Sequence, residues 1–429
     1  EEYTGAGTHA RRLRSQTSEL VLLGADSPAA LAKAARELAA RSTEPGFLSF
    51  AAHSTQTTFN NNAAVRLAVV VNDEDDLRSK LGQAADRIDK APASFSIPTG
   101  MHYSCDKADP GKVGFLFPGQ GSQYVRMGDQ VAMHHDEARA VWDHAADLDF
   151  GGTSLHAVVH PVPVFDAAAE QALEDQLRAT EWAQPAIGIV SLSHLGILNA
   201  LGVKADAVAG HSYGEISALH AAGAISDTDM LRIARKRGEL MAQAAVLDGA
   251  MLAVPADLHT VRPFVDAAPG VVIANHNHHK QVVISGPTTD IDAVERALLK
   301  AGIEPKRLQV ATAFHSPVVA DSVEPFRAFL KGIDFKPTTL PCYRNAEAVP
   351  YGADAKAYSD QVAEAVALPV RFVEQVENMY AAGIRTFIEV GPSHVLTNLV
   401  DEILGDQPHA AINLDRRKKD GSTVFANAL

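Results

Sequence analysis

At 429 residues, with 46% apolar and 21% charged positions, the chain has the balance of a folded globular protein of about two to three domains, which excludes disordered and fibrous classes. A formal net charge of −14 sets its summed field against phosphate backbones and anionic lipid, so neither nucleic acid nor membrane is an expected partner. Cys105 and Cys342 cannot build a disulfide framework and read as unreactive thiols. With no run of about 18 apolar residues and no secretion signal, the expected location is cytoplasmic, and a start at Glu1 without an initiator Met reads as an excised fragment.

In chain order, Leu20 to Leu23 predicts a strand, followed by a helix with Ser27 as cap, Pro28 at its first position and Leu31, Ala34, Ala35 and Leu38 on one face. A strand over Leu67 to Val71 and a helix capped by Asn72 or Asp73, with Leu77, Leu81, Ala85 and Ile88 inward, repeat the plan. Residues 1–108 therefore read as a small α/β domain. Ser49 to Asn62, rich in Ser, Thr and Asn, is expected as loop in part, and Lys90 to Lys112, with Pro92, Pro98 and Pro110, as a linker.

Beyond it, Val113 to Phe117, Ala207 to Ala209 and Thr386 to Val390 alternate with helical patterns, which predicts a mainly parallel sheet over 109–246 and 310–404. Met251 to Gln309 has another rhythm, with strands Val271 to Ala274 and Gln281 to Ser285 and a helix Ile291 to Ala301. The order β, α, β, β, α, β predicts an inserted ferredoxin-like subdomain over 247–309, on one edge of the larger sheet. Residues 405–429, with the basic run Arg416 to Lys419, read as a C-terminal linker.

Gly210-His211-Ser212-Tyr213-Gly214 follows an apolar strand and opens a helical stretch, the context of a nucleophile elbow. Glycines permit the sharp turn, and the helix N-terminus sets backbone N–H groups beside the serine oxygen. Read alone, the pentapeptide is as readily a chance strand-to-helix turn. Phe117-Pro118-Gly119-Gln120-Gly121-Ser122-Gln123 also follows a strand; it lacks the Lys of a phosphate-binding loop and is by itself an ordinary glycine-rich turn. A serine nucleophile needs a base. Among 18 histidines, His315 lies just past the strand-like run Leu308 to Ala311, although a lone histidine more often has a structural role.

Together, FPGQGSQ (117–123), QPA (184–186), GHSYGE (210–215), Arg237, AFHS (313–316) and EVGP (389–392) resemble the malonyl-CoA:acyl-carrier-protein transacylase family, in particular the acyltransferase domains of polyketide synthases. The resemblance covers nearly the whole chain, and the first hundred residues look like the linker domain between a ketosynthase and its acyltransferase. It implies an α/β-hydrolase-like core and a C-terminal linker that wraps back over the first domain. It further implies transfer of a malonyl group from malonyl-CoA to the phosphopantetheine thiol of an acyl carrier protein, with no metal or other cofactor and with a neighbouring ketosynthase as partner. Ser212 is then the nucleophile and His315 the base. Backbone N–H groups of Gln120 and Tyr213 form the oxyanion hole, and Arg237 binds the free carboxylate of malonate. Gln184, Asn275 and Gln281 line the cleft, and the backbone carbonyl of Ala365 orients the histidine. Phe314 is implied to favour malonyl over methylmalonyl, because a ring there crowds an extra methyl.

Three positions depart from the family pattern: Thr312, Tyr213, and the loop His276 to Lys280, whose histidines lack the further partners a zinc site needs. Tyr213 is similar to the residue of iterative enediyne-type and polyunsaturated-fatty-acid synthases. For an acidic carrier protein, Arg232 to Arg237 and Lys300 to Arg307 are the candidate docking patches.

Overall fold

The computed structural model describes residues 16–43, 46–106, 111–244, 248–308 and 312–429. These divide into two compact units: the described residues up to 106 with 419–429, and residues 111–418. The expected boundaries at 108/109, 246/247 and 309/310 lie outside the described residues.

In the first unit, β1 (Glu19–Ala25), β2 (Val65–Val71), β3 (Phe95–Ile97) and β4 (Met101–Ser104) form an antiparallel sheet in the order β1-β2-β4-β3. Helix Pro28–Arg41 starts where Ser27 Oγ accepts from Ala30 N–H, and helix Glu74–Lys90 where Asp73 accepts from Asp76 N–H. Each cap satisfies a donor that the first helical turn leaves unpaired. Leu31, Ala35, Leu77, Leu81, Ala85 and Ile88 are buried, whereas Ala34 and Leu38 stand at the margin.

Two expectations for this unit change. The loop expected in part of Ser49 to Asn62 is confined to 58–62; the rest is helix, Phe47–Thr57, because Phe47, Leu48, Ala51 and Ala52 give it one buried stripe while Ser49 and Thr57 face outward. The stretch expected as a linker supplies β3 and β4, whose apolar residues Phe95, Ile97, Met101 and Tyr103 pack on the same core. The C-terminal helix Gly421–Ala428 belongs here too: Asp420 accepts from Thr423 N–H at 2.8 Å and from the Thr17 hydroxyl at 2.7 Å.

In the second unit the strands follow as β5 (Lys112–Phe117), β6 (Ala207–Gly210), β7 (Gly249–Val254), β8 (Val272–His278), β9 (Gln281–Pro287), β10 (Lys306–Arg307), β11 (Cys342–Tyr343), β12 (Ile384–Glu389) and β13 (Ala410–Asn413). A wholly parallel sheet runs β11-β6-β5-β12-β13, and an antiparallel one runs β10-β7-β9-β8. With helices Leu258–Asp266 and Thr288–Lys300 between its strands, the second sheet has the ferredoxin-like order; Leu252, Val261, Ile284, Ile291 and Leu298 fill its core.

The parallel sheet does not end at 404. Strand β13 extends it, pairing with β12 from Thr386↔Ala410 to Glu389↔Asn413, so only the last residues of the expected C-terminal linker lie outside this unit. The small subdomain joins the large one along β8: His276 N–H donates to Val370 O at 2.9 Å and Val370 N–H to Ala274 O at 2.8 Å. Among the described residues no helix is long and apolar enough to cross a membrane.

Candidate active site

Strand β6 ends at Gly210, and helix Gly214–Ala221 starts four residues on. Between them Ser212 has φ +53°, a left-handed conformation that costs a non-glycine residue about 1–3 kcal/mol and persists only where its surroundings hold it. Tight packing of the two glycine-rich turns is one such constraint. A Cβ on Gly214 would lie 1.9 Å from Phe117 O, and one on Gly119 would lie 2.4 Å from His211 O. The loop 118–120 is thereby pressed against the serine turn.

His315 is brought to the same point from the other side of the cleft. Its Nε2 lies 2.7 Å from Ser212 Oγ, and Nδ1 donates to the carbonyl of Leu368 at 2.8 Å. The second bond puts the ring proton on Nδ1 and leaves Nε2 free to accept the serine proton. His315 also has a positive φ, +56°, and the next residue anchors the turn: the Ser316 hydroxyl donates to Ala313 O at 2.7 Å. Of the strand-like run before it, Leu308 N–H pairs with Met251 O, and residues 309–311 lie outside the described residues.

The resemblance places the orienting carbonyl at Ala365; the hydrogen bond goes instead to Leu368, with Ala365 a weaker contributor. Helix Tyr358–Glu364 ends just before Ala365, and Leu368 precedes Pro369, which biases its backbone away from the helical conformation and turns its carbonyl out of the last turn.

Burial, and then the nearby Arg237 charge, push the His315 imidazole down to about 3. A base that must be neutral works above its own pKa, so the lowered value moves the acid limb of the rate profile downward. Serine acylation by a CoA thioester, followed as kcat/KM, is expected to stay level from about pH 8 to about pH 5. A half-loss near the ordinary histidine value of about 6.5 would contradict this environment.

Arg237 projects from helix Asp227–Gln243 and is 5% exposed, with its guanidinium 3.5 Å from Ser212 Oγ. No carboxylate forms an ion pair with it among the described residues. Burial lowers its pKa to about 10, while the field of Glu215 opposes that shift. A desolvated fork of donors without a carboxylate partner beside a nucleophile is suited to a carboxylate on the incoming molecule.

A cavity of about 440 Å³ contains these groups, and Gln120, Asn275, Gln281 and Phe314 also line it. Among the described residues neither the Gln120 nor the Tyr213 backbone N–H has an internal acceptor. The Tyr213 ring is fully buried, and a Cβ on Gly188 would come within 2.3 Å of its hydroxyl, so that glycine makes room for the unusual tyrosine. Gln184 does not line the cavity. It is fully buried on helix Thr180–Ala200, donates to Met241 Sδ at 3.4 Å, and Met241 stands between it and the cleft.

Several contacts at the site carry no signal in the sequence. Asn345 accepts from Ser212 N–H at 3.0 Å, the buried Glu215 binds Asn345, and Asn277 accepts from His211 Nε2 at 2.8 Å while donating to Gln281 at 3.3 Å. In the histidine loop, His276 and His279 face Glu374 and Glu377 at 3.3 and 3.4 Å, and no metal-holding group of three or more such side chains occurs among the described residues. Thr312 is fully buried and donates to Ala244 O. Within the expected docking patches, Arg235 pairs with Glu239 and stacks on Trp182, Arg232 pairs with Asp229, and Arg307 pairs with Asp292 and Glu295, while Lys300 and Lys306 are exposed.

Residues 114–426 match the family model described as an acyl transferase domain. A malonyl CoA-acyl carrier protein transacylase of Bacillus subtilis is 34% identical over 304 residues, covering 68% of this chain and 90% of that protein. A polyunsaturated fatty acid synthase polypeptide from Thraustochytrium is 30% identical over 80% of this chain, which spans only 13% of that polypeptide. Among solved structures, the acyltransferase domain of an iterative polyketide synthase in enediyne biosynthesis is 27% identical with a TM-score of 0.72, covering 96% of this chain and 97% of that one. A malonyl CoA-acyl carrier protein transacylase of Clostridium perfringens, 29% identical with a TM-score of 0.65, covers 72% of this chain and 94% of its own. The full-length likeness is thus to a synthase domain, and the shorter one to a separate transacylase. The chain belongs to the acyl transferase domain family.

Proposed function

We propose that this chain carries a malonyl group from malonyl-CoA, through an ester on Ser212, to the phosphopantetheine thiol of an acyl carrier protein in polyketide or fatty-acid type assembly. As Ser212 Oγ attacks the thioester carbonyl, its proton passes to His315 Nε2, and the backbone N–H groups of Gln120 and Tyr213 receive the negative oxygen. The carbon–sulfur bond then breaks, and His315 returns the proton to the departing CoA thiolate. In the second half the carrier thiol gives its proton to His315 and attacks the ester, and the serine oxygen leaves with that proton. Every step balances with these two side chains, so the reading calls on no resident metal or redox group.

The observation that carries this reading is the 2.7 Å serine–histidine contact with an unpaired, buried guanidinium beside it. Its selectivity for a diacid follows from Arg237, and the contiguous match to synthase domains supports a neighbouring ketosynthase as a further partner. The test is to supply malonyl-CoA with and without a phosphopantetheinylated carrier protein. Malonyl-carrier is the expected product; release of free malonate with the carrier left unloaded would make the chain a hydrolase instead.

Phe314 lines the same cavity as Ser212 at 7% exposure, and in this reading its ring limits the space for a branched acyl group. Phe314→Ser is expected to lower the preference for malonyl over methylmalonyl by about 10-fold, the order of one methyl group in a pocket, in competition assays with both CoA esters.

A further inference from the structure

We infer that Asn345, oriented by Glu215, is a positioning residue that sets the distance between nucleophile and base; the inference rests on Ser212 being the nucleophile. Ser212 sits in a strained conformation, and its own N–H donates to Asn345 Oδ1 at 3.0 Å. An amide side chain can turn either end toward a partner, and Glu215 decides which. That carboxylate, 4% exposed, accepts from Asn345 N–H at 2.9 Å, from Asn345 Nδ2 and from the Tyr351 hydroxyl. Facing three donors, it serves as acceptor, so the amide must turn its NH2 toward Glu215 and its oxygen toward Ser212.

Asn345 reaches the other half of the pair as well. Its backbone carbonyl accepts from Arg371 N–H at 3.0 Å, three residues beyond Leu368, whose carbonyl holds His315. One residue, just past β11, the strand that pairs with β6, thus ties the serine turn through its side chain and the histidine-orienting segment through its backbone. Because it occupies the Ser212 amide, the developing oxyanion is left to the amides of Gln120 and Tyr213.

The test exploits charge. Asn345→Asp keeps the acceptor for Ser212 but sets a second carboxylate against Glu215. The other groups facing Glu215 are the Asn345 N–H and the Tyr351 hydroxyl, both of which already donate to it, the Cys342 thiol and the Arg344 and Arg237 cations. Two buried carboxylates in contact share one proton at low pH, which restores a donor between them, and lose it as pH rises. In single-turnover acylation by malonyl-CoA, the variant is expected to approach the wild-type rate near about pH 6 and to fall about 10- to 100-fold below it by about pH 9. Substrate affinity should be unchanged.

A rate equal to wild type at every pH, or a loss that does not vary with pH, would overturn the inference. Should that variant fail to fold, Asn345→Ala is expected to lower kcat by about 10-fold or more with KM unchanged, and a loss confined to KM, or none, would overturn it. Wild-type protein that forms no ester on Ser212 removes the nucleophile reading and this inference together; a wild-type ester with unaffected Asn345 variants removes this inference alone.

Discussion

Ser212→Ala is expected to abolish both the covalent acyl-enzyme and the loading of the carrier protein, while the thermal unfolding transition stays close to that of wild type. The side chain removed is a single hydroxyl whose partners are His315 Nε2 and, at the limit of hydrogen-bond distance, Arg237, so no buried network depends on it. The backbone bond that holds the turn, Ser212 N–H to Asn345, survives the change, and alanine also lacks glycine's freedom at φ +53°, so the strain is unaltered. Residual binding of malonyl-CoA should persist, because the cavity and Arg237 remain. Carrier loading by the alanine variant at the wild-type rate would show that another residue, or direct transfer between thiols, carries the acyl group.

Arg237→Ala is expected to slow malonyl transfer by about 30-fold to several thousandfold, the range for removing one partner of a buried charged pair, and acetyl transfer by far less. Acetate has no second carboxylate, so it does not use the guanidinium. Equal losses for the two acyl groups would take Arg237 out of substrate recognition. A second consequence follows from its burial. Without substrate the site keeps a buried cation, 5% exposed, and that burial lowers its pKa to about 10. For a base, a folded-state pKa below the unfolded one means that the charged form is disfavoured by folding, a penalty present at every pH below about 10. Arg237→Met, which fills similar volume without the charge, is therefore expected to melt at a higher temperature than the unliganded wild type, and only the wild type should gain stability from added malonate.

What can be read from the residues is set by local constraint. The turn at Ser212 is legible because a strand, two glycines and a helix must follow one another there, and the close contacts of Gly119 and Gly214 show why no larger residue serves. The order of the inserted subdomain is legible for the same reason, since alternating apolar strands and amphipathic helices carry their own periods. Asn345 is not, because it meets Ser212 across 133 positions and an asparagine in a loop carries no local signature. Leu368 lies three residues from the expected carbonyl because the one that turns toward His315 depends on where a helix stops and a proline begins. The resemblance places Gln184 in the cleft, but its helix is buried on nearly every face and Met241 intervenes. In the first unit, a Ser- and Thr-rich composition masks helix Phe47–Thr57, whose stability comes from four buried apolar residues rather than from propensity.

The most direct measurement is peptide mapping of the protein after brief exposure to malonyl-CoA and acid quench. A single added malonyl group on the peptide containing Ser212, lost again when a phosphopantetheinylated carrier protein is supplied before the quench, is the result expected. No adduct, or one carried by another residue such as Cys105, would contradict the account.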